Sequence, residues 1–307
     1  MTEDFLSAPP ESPLVISERS VTVLKQPVWI WSVPVYFYLG STAGTAAALA
    51  FAAQTADAYR FRNVISKARG ISAGSLLLGS VLLIHDLGRP SRFLNMLRVF
   101  KLSSPMSVGS WLLATTTPLV MLAAAFSNTS SRVLHRIGSL SGAGSGVLGL
   151  PLAGYTGVLL GTTAVPVWKS SRTLLPPLFL SSGAASAAEL IQISSLNISE
   201  LKALARLGVF FRSAELITML LLSRKLRKNR GSSGPLRSGA SGKLWKAAVG
   251  LALGGLWFHS WKPTSRRMRI LKVVTGIVGG LSLRFALLEA GKESARNPGE
   301  FESQGKS

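Results

Sequence analysis

The 307-residue chain has no cysteine, only three histidines (His85, His135 and His259), and 13 acidic residues against 34 Lys and Arg. Without thiols it forms no disulfide, ligates no iron–sulfur cluster and attaches no c-type haem. A b-type haem needs axial ligands that face one another inside a bundle. His85 falls at the end of an apolar segment and His135 in a basic loop, so neither haem nor metal is expected in this chain. If electrons do pass nearby, another subunit has to carry the redox metals. The ten-residue blocks of alternating polarity that mark a membrane β-barrel are missing as well.

What is present is apolar length. Hydrophobic residues make up 47% of the chain, mean hydropathy is +0.35, and the charge-poor runs are long. A hydrocarbon core of roughly 30 Å takes about 20 mostly apolar helical residues. Eight segments qualify as spans, at 33–55, 70–86, 107–127, 140–166, 174–195, 203–223, 244–261 and 270–290. The second is short, and the sixth and eighth carry internal charges. The fourth belongs to a run without charge from Leu140 to Trp168, with Pro151 expected to kink it. The expected fold is all-α, a polytopic membrane bundle of about eight transmembrane helices. One membrane domain is expected over 31–291, with flexible tails at 1–30 and 292–307 and a basic Gly/Ser-rich loop at 224–243 between spans six and seven. The first 30 or so residues carry Glu3, Asp4, Glu11 and Glu18 and lack the basic start and apolar core of a cleavable signal.

The net charge of +21 sits mainly between the spans, as in Arg60, Arg62, Lys67 and Arg69, or Arg266, Arg267 and Arg269. Such loops anchor a chain to anionic headgroups, so membrane lipid rather than nucleic acid is the expected polyanionic partner. Eight spans put both termini on one side. The densest basic run, 224–230, favours a cytoplasmic side for them, whereas the basic loop after the first span opposes it; orientation stays open. The glycine pattern 142–149 lacks both the preceding strand and the Lys-Ser/Thr of a phosphate loop. Small residues there instead let helices approach closely in lipid.

The most distinctive stretch runs from His85 to Trp111. Gly88 and Pro90 end a helix between Asp86 and Arg89. Residues 91–101 place Phe93, Leu94, Met96, Leu97 and Phe100 against Arg92, Arg98 and Lys101, the pattern of an interfacial amphipathic helix. Ser104-Pro105 then opens the next span. The sequence DLGRPSRFLNMLRVFKLSSPMSVGSW (86–111) resembles the loop signature of the NrfD/polysulfide-reductase membrane-subunit family. Three further stretches are similar to that family: PVWIWSVPVYFYLGSTAG (27–44), GYTGVLLGTTAVPVWKSSRTLLPPLFLSSGAASAA (154–188) and GGLSLRFALLEAGKESARNP (279–298). Four matches in order cover most of the chain.

The resemblance implies an eight-helix subunit of a respiratory complex in the cell (inner) membrane. It carries no cofactor of its own and binds quinone, menaquinone or ubiquinone, as substrate. Electrons are exchanged with a ferredoxin-like iron–sulfur subunit, and through it with a molybdopterin or multihaem catalytic subunit. Tyr155 matches the family's Tyr-x-Gly position, and its phenol can hydrogen-bond a quinone carbonyl. Tyr36, Trp31, His85, Asp86 and Arg89 are the other quinone-binding candidates; Trp31 with Trp29 also reads as an aromatic belt. Some family members carry Asn and His where this chain has Val33 and Tyr36, which leaves the pose open.

Four ionisable residues fall inside expected spans: Glu189, Arg212, Glu215 and Arg284. A charge in hydrocarbon must be paired or face a polar interior. Arg212 and Glu215, three apart, share a helix face. The four are candidates for a proton relay, or for buried pairs that fix helix packing. Two rival functions remain, a structural anchor that docks a redox partner without quinone turnover and a secondary transporter. No repeat between the two halves favours the transporter.

Overall fold

The computed structural model describes residues 29–228, 236, 239–260 and 266–296. Most of the 1–30 tail, most of the 292–307 tail and much of the 224–243 loop therefore lie outside the described residues, as does the side chain of His259. The described chain is helical throughout, with no strand. In order the helices are α1 Ser32–Asp57, α2 Arg62–Leu87, α3 Pro90–Leu97, α4 Pro105–Ala125, α5 Arg132–Gly161, α6 Pro166–Ser171, α7 Leu175–Gln192, α8 Ile198–Lys228, α9 Gly239–Ser260 and α10 Arg266–Arg296.

The eight long helices stand where the eight spans are expected. Five of them, α1, α2, α4, α5 and α10, are long and apolar enough to cross a membrane. The three others carry polar residues that lower their hydropathy. In α7 and α8 these include Glu189, Arg212 and Glu215, all buried, so the polarity faces the bundle rather than lipid. Lipid-facing surface is apolar instead: Leu77, Leu78 and Val81 on α2 are more than half exposed.

Several ends differ from the sequence reading. Helix α2 starts eight residues before position 70, because Arg69 hides inside the bundle, donating to Gln54 Oε1 at 2.6 Å. Helix α5 stops at Gly161, not 166, and Pro166 at the first turn of α6 restarts the chain. Helix α10 continues past 291 to Arg296, since Ser294 and Ala295 stay buried.

Helix α1 lies at the centre and packs against α2, α5, α7 and α10. Its approach to α5 is backbone to backbone. A Cβ added at Gly44 would strike the Gly149 carbonyl, and one at Gly149 would strike that of Gly44. Dispersion between backbones replaces side-chain interdigitation at this crossing. The loop after α2 closes as its sequence demands. Gly88 takes φ +72° and its N–H caps the carbonyls of Ile84 and His85, a left-handed end that suits glycine. Pro90 then opens α3, and Ser104, with Pro105 behind it, opens α4.

Candidate functional site

At the Ser32 end of α1 a cavity of about 120 Å³ lies between α1, α2, α3, α4 and α5. One water needs roughly 10–15 Å³ measured this way, so the space is that of a small-molecule headgroup. Its walls are mostly aliphatic, among them Leu76, Leu83, Leu113, Leu152 and Leu159. Two phenols, Tyr36 from α1 and Tyr155 from α5, and one carboxylate, Asp86 from α2, also line it.

These three polar groups reach the cavity through local sequence features. Asp86 sits in the last turn of α2, just before the Gly88 cap, where its carboxylate accepts a long hydrogen bond from Ser32 Oγ (3.4 Å). The Tyr155 ring lies directly on the α4 backbone at Gly109, and a Cβ there would overlap the ring. Glycine at 109 is thus what admits the phenol. Tyr36 packs edge-on to Phe37, with ring centroids 4.8 Å apart. Among the described residues, neither the Tyr36 nor the Tyr155 hydroxyl makes a hydrogen bond. Both donors are therefore unengaged by protein.

The remaining expected quinone-contact residues stand elsewhere. Trp31 is 59% exposed and leans on His85, with ring centroids 6.2 Å apart. Neither residue lines the cavity, and exposed Arg89 does not line it either. The tryptophan that does line it is Trp29, held by stacking on buried Trp168 (5.2 Å, 14° between planes), whose indole N–H donates to the Leu287 carbonyl at 2.7 Å. Thr156 escaped the sequence reading. It lines the cavity beside Tyr155, and its buried hydroxyl has no partner among the described residues. A hydroxyl next to the Tyr-x-Gly motif in an otherwise apolar helix is the signal that could have found it. Ser110 also lines the cavity but is engaged by the Met106 carbonyl at 2.9 Å.

A second polar assembly occupies the bundle interior. Arg212 forks between two carboxylates, donating from Nη2 to Glu189 Oε1 and from Nη1 to Glu215 Oε2, each at 2.6 Å. All three are at most 2% exposed. The second oxygen of Glu189 finds no partner among the described residues. Gly276 of α10 makes room for it, since a Cβ there would overlap that oxygen. Lys272, also on α10 and buried, lies within electrostatic reach of Glu189, and its ammonium likewise lacks a hydrogen-bond partner among the described residues.

Arg284 makes no ion pair among the described residues, although Glu215 and Arg212 lie within its electrostatic reach. It donates to Ser182 Oγ (2.5 Å), Ser41 Oγ (2.8 Å) and the carbonyls of Gly280 and Phe179, and lies over the rings of Phe179 and Tyr38 at 4.7 and 5.6 Å. The four expected relay residues thus divide into one ion-paired cluster, Glu189–Arg212–Glu215, and one cation solvated by hydroxyls, carbonyls and rings. Among the described residues no cluster of His, Asp or Glu could hold a metal ion.

An all-helical bundle with lipid-facing apolar walls, buried charges and a cavity near one end is a multi-pass membrane protein. The chain matches the family Polysulphide reductase, NrfD over residues 20–294, and it belongs to that family. The family comprises membrane subunits of respiratory oxidoreductases, which work with catalytic and iron–sulfur subunits. No individual curated protein matches the chain.

Proposed function

We propose that this chain is the membrane-anchoring, quinone/quinol-binding subunit of a respiratory oxidoreductase in the cell (inner) membrane. It exchanges electrons between the quinone pool and a ferredoxin-like iron–sulfur subunit, and through that with a molybdopterin or multihaem catalytic subunit. The observation that carries this reading is the cavity itself: apolar walls with two unengaged phenols and a carboxylate at one end of the bundle. A quinone ring needs a dry slot, a donor for a ring oxygen, and a group that takes or gives a proton. Tyr36 and Tyr155 supply donors, Thr156 a further hydroxyl, and Asp86 an acid–base group near the membrane edge. The family subunits bind quinone, and the residues present here suit that ligand.

The iron–sulfur partner docks on the face that carries the cavity, over α3 and the loops around it, where Arg89, Arg92 and Lys101 are exposed. Proton movement linked to the quinone is assigned to Glu189, whose one oxygen is tied to Arg212 while the other is free to accept. Arg212 and Glu215 position that carboxylate.

Gly40 provides the test. It lines the cavity, and a Cβ built on it meets nothing within 4 Å. Gly40→Leu therefore branches from an unobstructed Cβ and takes up part of the cavity. Affinity purification in mild detergent, with subunits identified and quinone extracted from the same sample, is expected to give the partner from both forms and quinone from the wild type only. Equal quinone from both would refute the site, and partner without quinone from the wild type would make the chain a structural anchor.

A further inference from the structure

The opposite end of the bundle carries a second recess. The turn between α1 and α2 and the first two turns of α8 enclose an open cleft of about 550 Å³. Three cations line it: Arg60 from the turn, and Lys202 and Arg206 from α8. None of them has an ion pair among the described residues. Lys202 and Arg206 are four apart and so occupy one helix face, an arrangement that is mildly destabilising without a counter-charge between them. Neither acid close by in sequence, Asp57 or Glu200, lines the cleft. Glu200 is fully buried and caps the Asn197 N–H at 2.8 Å, and Asp57 Oδ1 accepts the backbone N–H groups of Tyr59 and Arg60.

The cleft is not purely polar. Phe61 and Ile198 form part of its wall. Phe61 is fixed from behind by a core group that includes Val64 and Leu204. The Arg60 guanidinium lies 5.5 Å from the centre of the Phe61 ring. Ile198 is 74% exposed and Tyr59, beside the cleft in sequence, 90%. Cations next to exposed apolar and aromatic residues, at the ends of spanning helices, match the boundary between headgroup and acyl chain.

We propose that this cleft binds the phosphate of an anionic phospholipid, with the oxyanion between Arg60, Lys202 and Arg206 and an acyl chain along Phe61 and Ile198. Free phosphate would satisfy the same three cations but leave the apolar wall unused. Positions 36 and 60 are separated along α1 and its following turn by 24 residues, about 36 Å of helix, so the lipid site is remote from the quinone cavity. It ties the α1–α2 turn to α8 through the ligand.

The test uses the full chain in detergent, delipidated and then offered dioleoylphosphatidylglycerol or dioleoylphosphatidylcholine, with adducts counted by native mass spectrometry. The anionic phosphatidylglycerol is expected to be retained in preference. An exposed ion pair to the phosphate contributes up to about 1 kcal/mol, a factor of about five, so Arg60→Gln/Lys202→Gln/Arg206→Gln is expected to weaken retention by up to about a hundredfold. The single Lys202→Gln, should the triple variant misfold, is expected to lose about fivefold. Removing three exposed cations outside the cleft (Lys67→Gln/Arg132→Gln/Arg136→Gln) leaves retention unchanged. Equal retention of the two lipids, or equal losses from both triple variants, overturns the proposal. Millimolar inorganic phosphate should not displace the lipid; if it does, the cleft takes free phosphate and the lipid assignment fails.

Discussion

Tyr155→Phe separates ligand binding from folding. The ring is packed on the Gly109 backbone, and phenylalanine keeps that packing. The hydroxyl has no hydrogen-bond partner among the described residues, so removing it leaves no protein group stranded. The fold should therefore lose under about 0.5 kcal/mol, a shift of no more than about 2 °C in Tm for a chain of this size. A neutral hydrogen bond to a quinone oxygen contributes about 0.5–1.5 kcal/mol net, which raises the quinone Kd by about 2- to 12-fold. Quinone titration of the purified complex, alongside its thermal unfolding, reads both quantities. Gly109→Ala is the companion: its Cβ pushes the ring off α4, so a larger loss of quinone affinity is expected. An unchanged Kd in Tyr155→Phe would remove Tyr155 as a ligand, and a large fall in Tm would show that its hydroxyl is structural after all.

Two further outcomes follow from the interior. Arg212→Met strips the only cation ion-paired to two buried carboxylates among the described residues and is expected to cost about 3–5 kcal/mol; adding Glu189→Gln and Glu215→Gln should recover much of it, as read by thermal unfolding in detergent. At the α1–α5 crossing, Gly149→Val forces backbones apart that now touch. Overpacking of this kind costs about 1–3 kcal/mol or more, and normal membrane yield with an unchanged Tm would contradict the backbone contact.

Much of the fold was legible because hydrocarbon imposes one rule on every span, about 20 residues without exposed charge. The helix ends were less so. Arg69 reads as a loop residue until its hydrogen bond to Gln54, fifteen positions earlier, is known. Residues 162–165 are as apolar as a helix, yet Gly161 and Pro166 break it. At the site, Tyr36, Asp86 and Tyr155 could be named because each sits in a recognisable stretch. Trp29 and Trp31 are two apart and equivalent as sequence. Only stacking on Trp168, 139 positions away, turns the first inward. The Arg212–Glu215 pair was visible as helical spacing, whereas the Glu189 contact crosses between two helices and has no local signature. Gly109 belongs to the same class of residue, one whose importance lies wholly in what another helix places against it.

Arg284 also bears on what the bundle keeps out. Its charge is dispersed over hydroxyls, carbonyls and aromatic faces, with no carboxylate hydrogen-bonded to it among the described residues, while Glu215 acts on it only across space. At an effective dielectric of about 20, a lone guanidinium repels a unit cation about 10 Å away by about 1.7 kcal/mol, and the Glu215 carboxylate offsets part of that. A bundle that spans a membrane has to let few small cations cross where no group is placed to carry them. A fixed guanidinium bound by hydroxyls instead of a paired acid keeps part of its positive field in the middle of the bundle, and that field stands against stray cations.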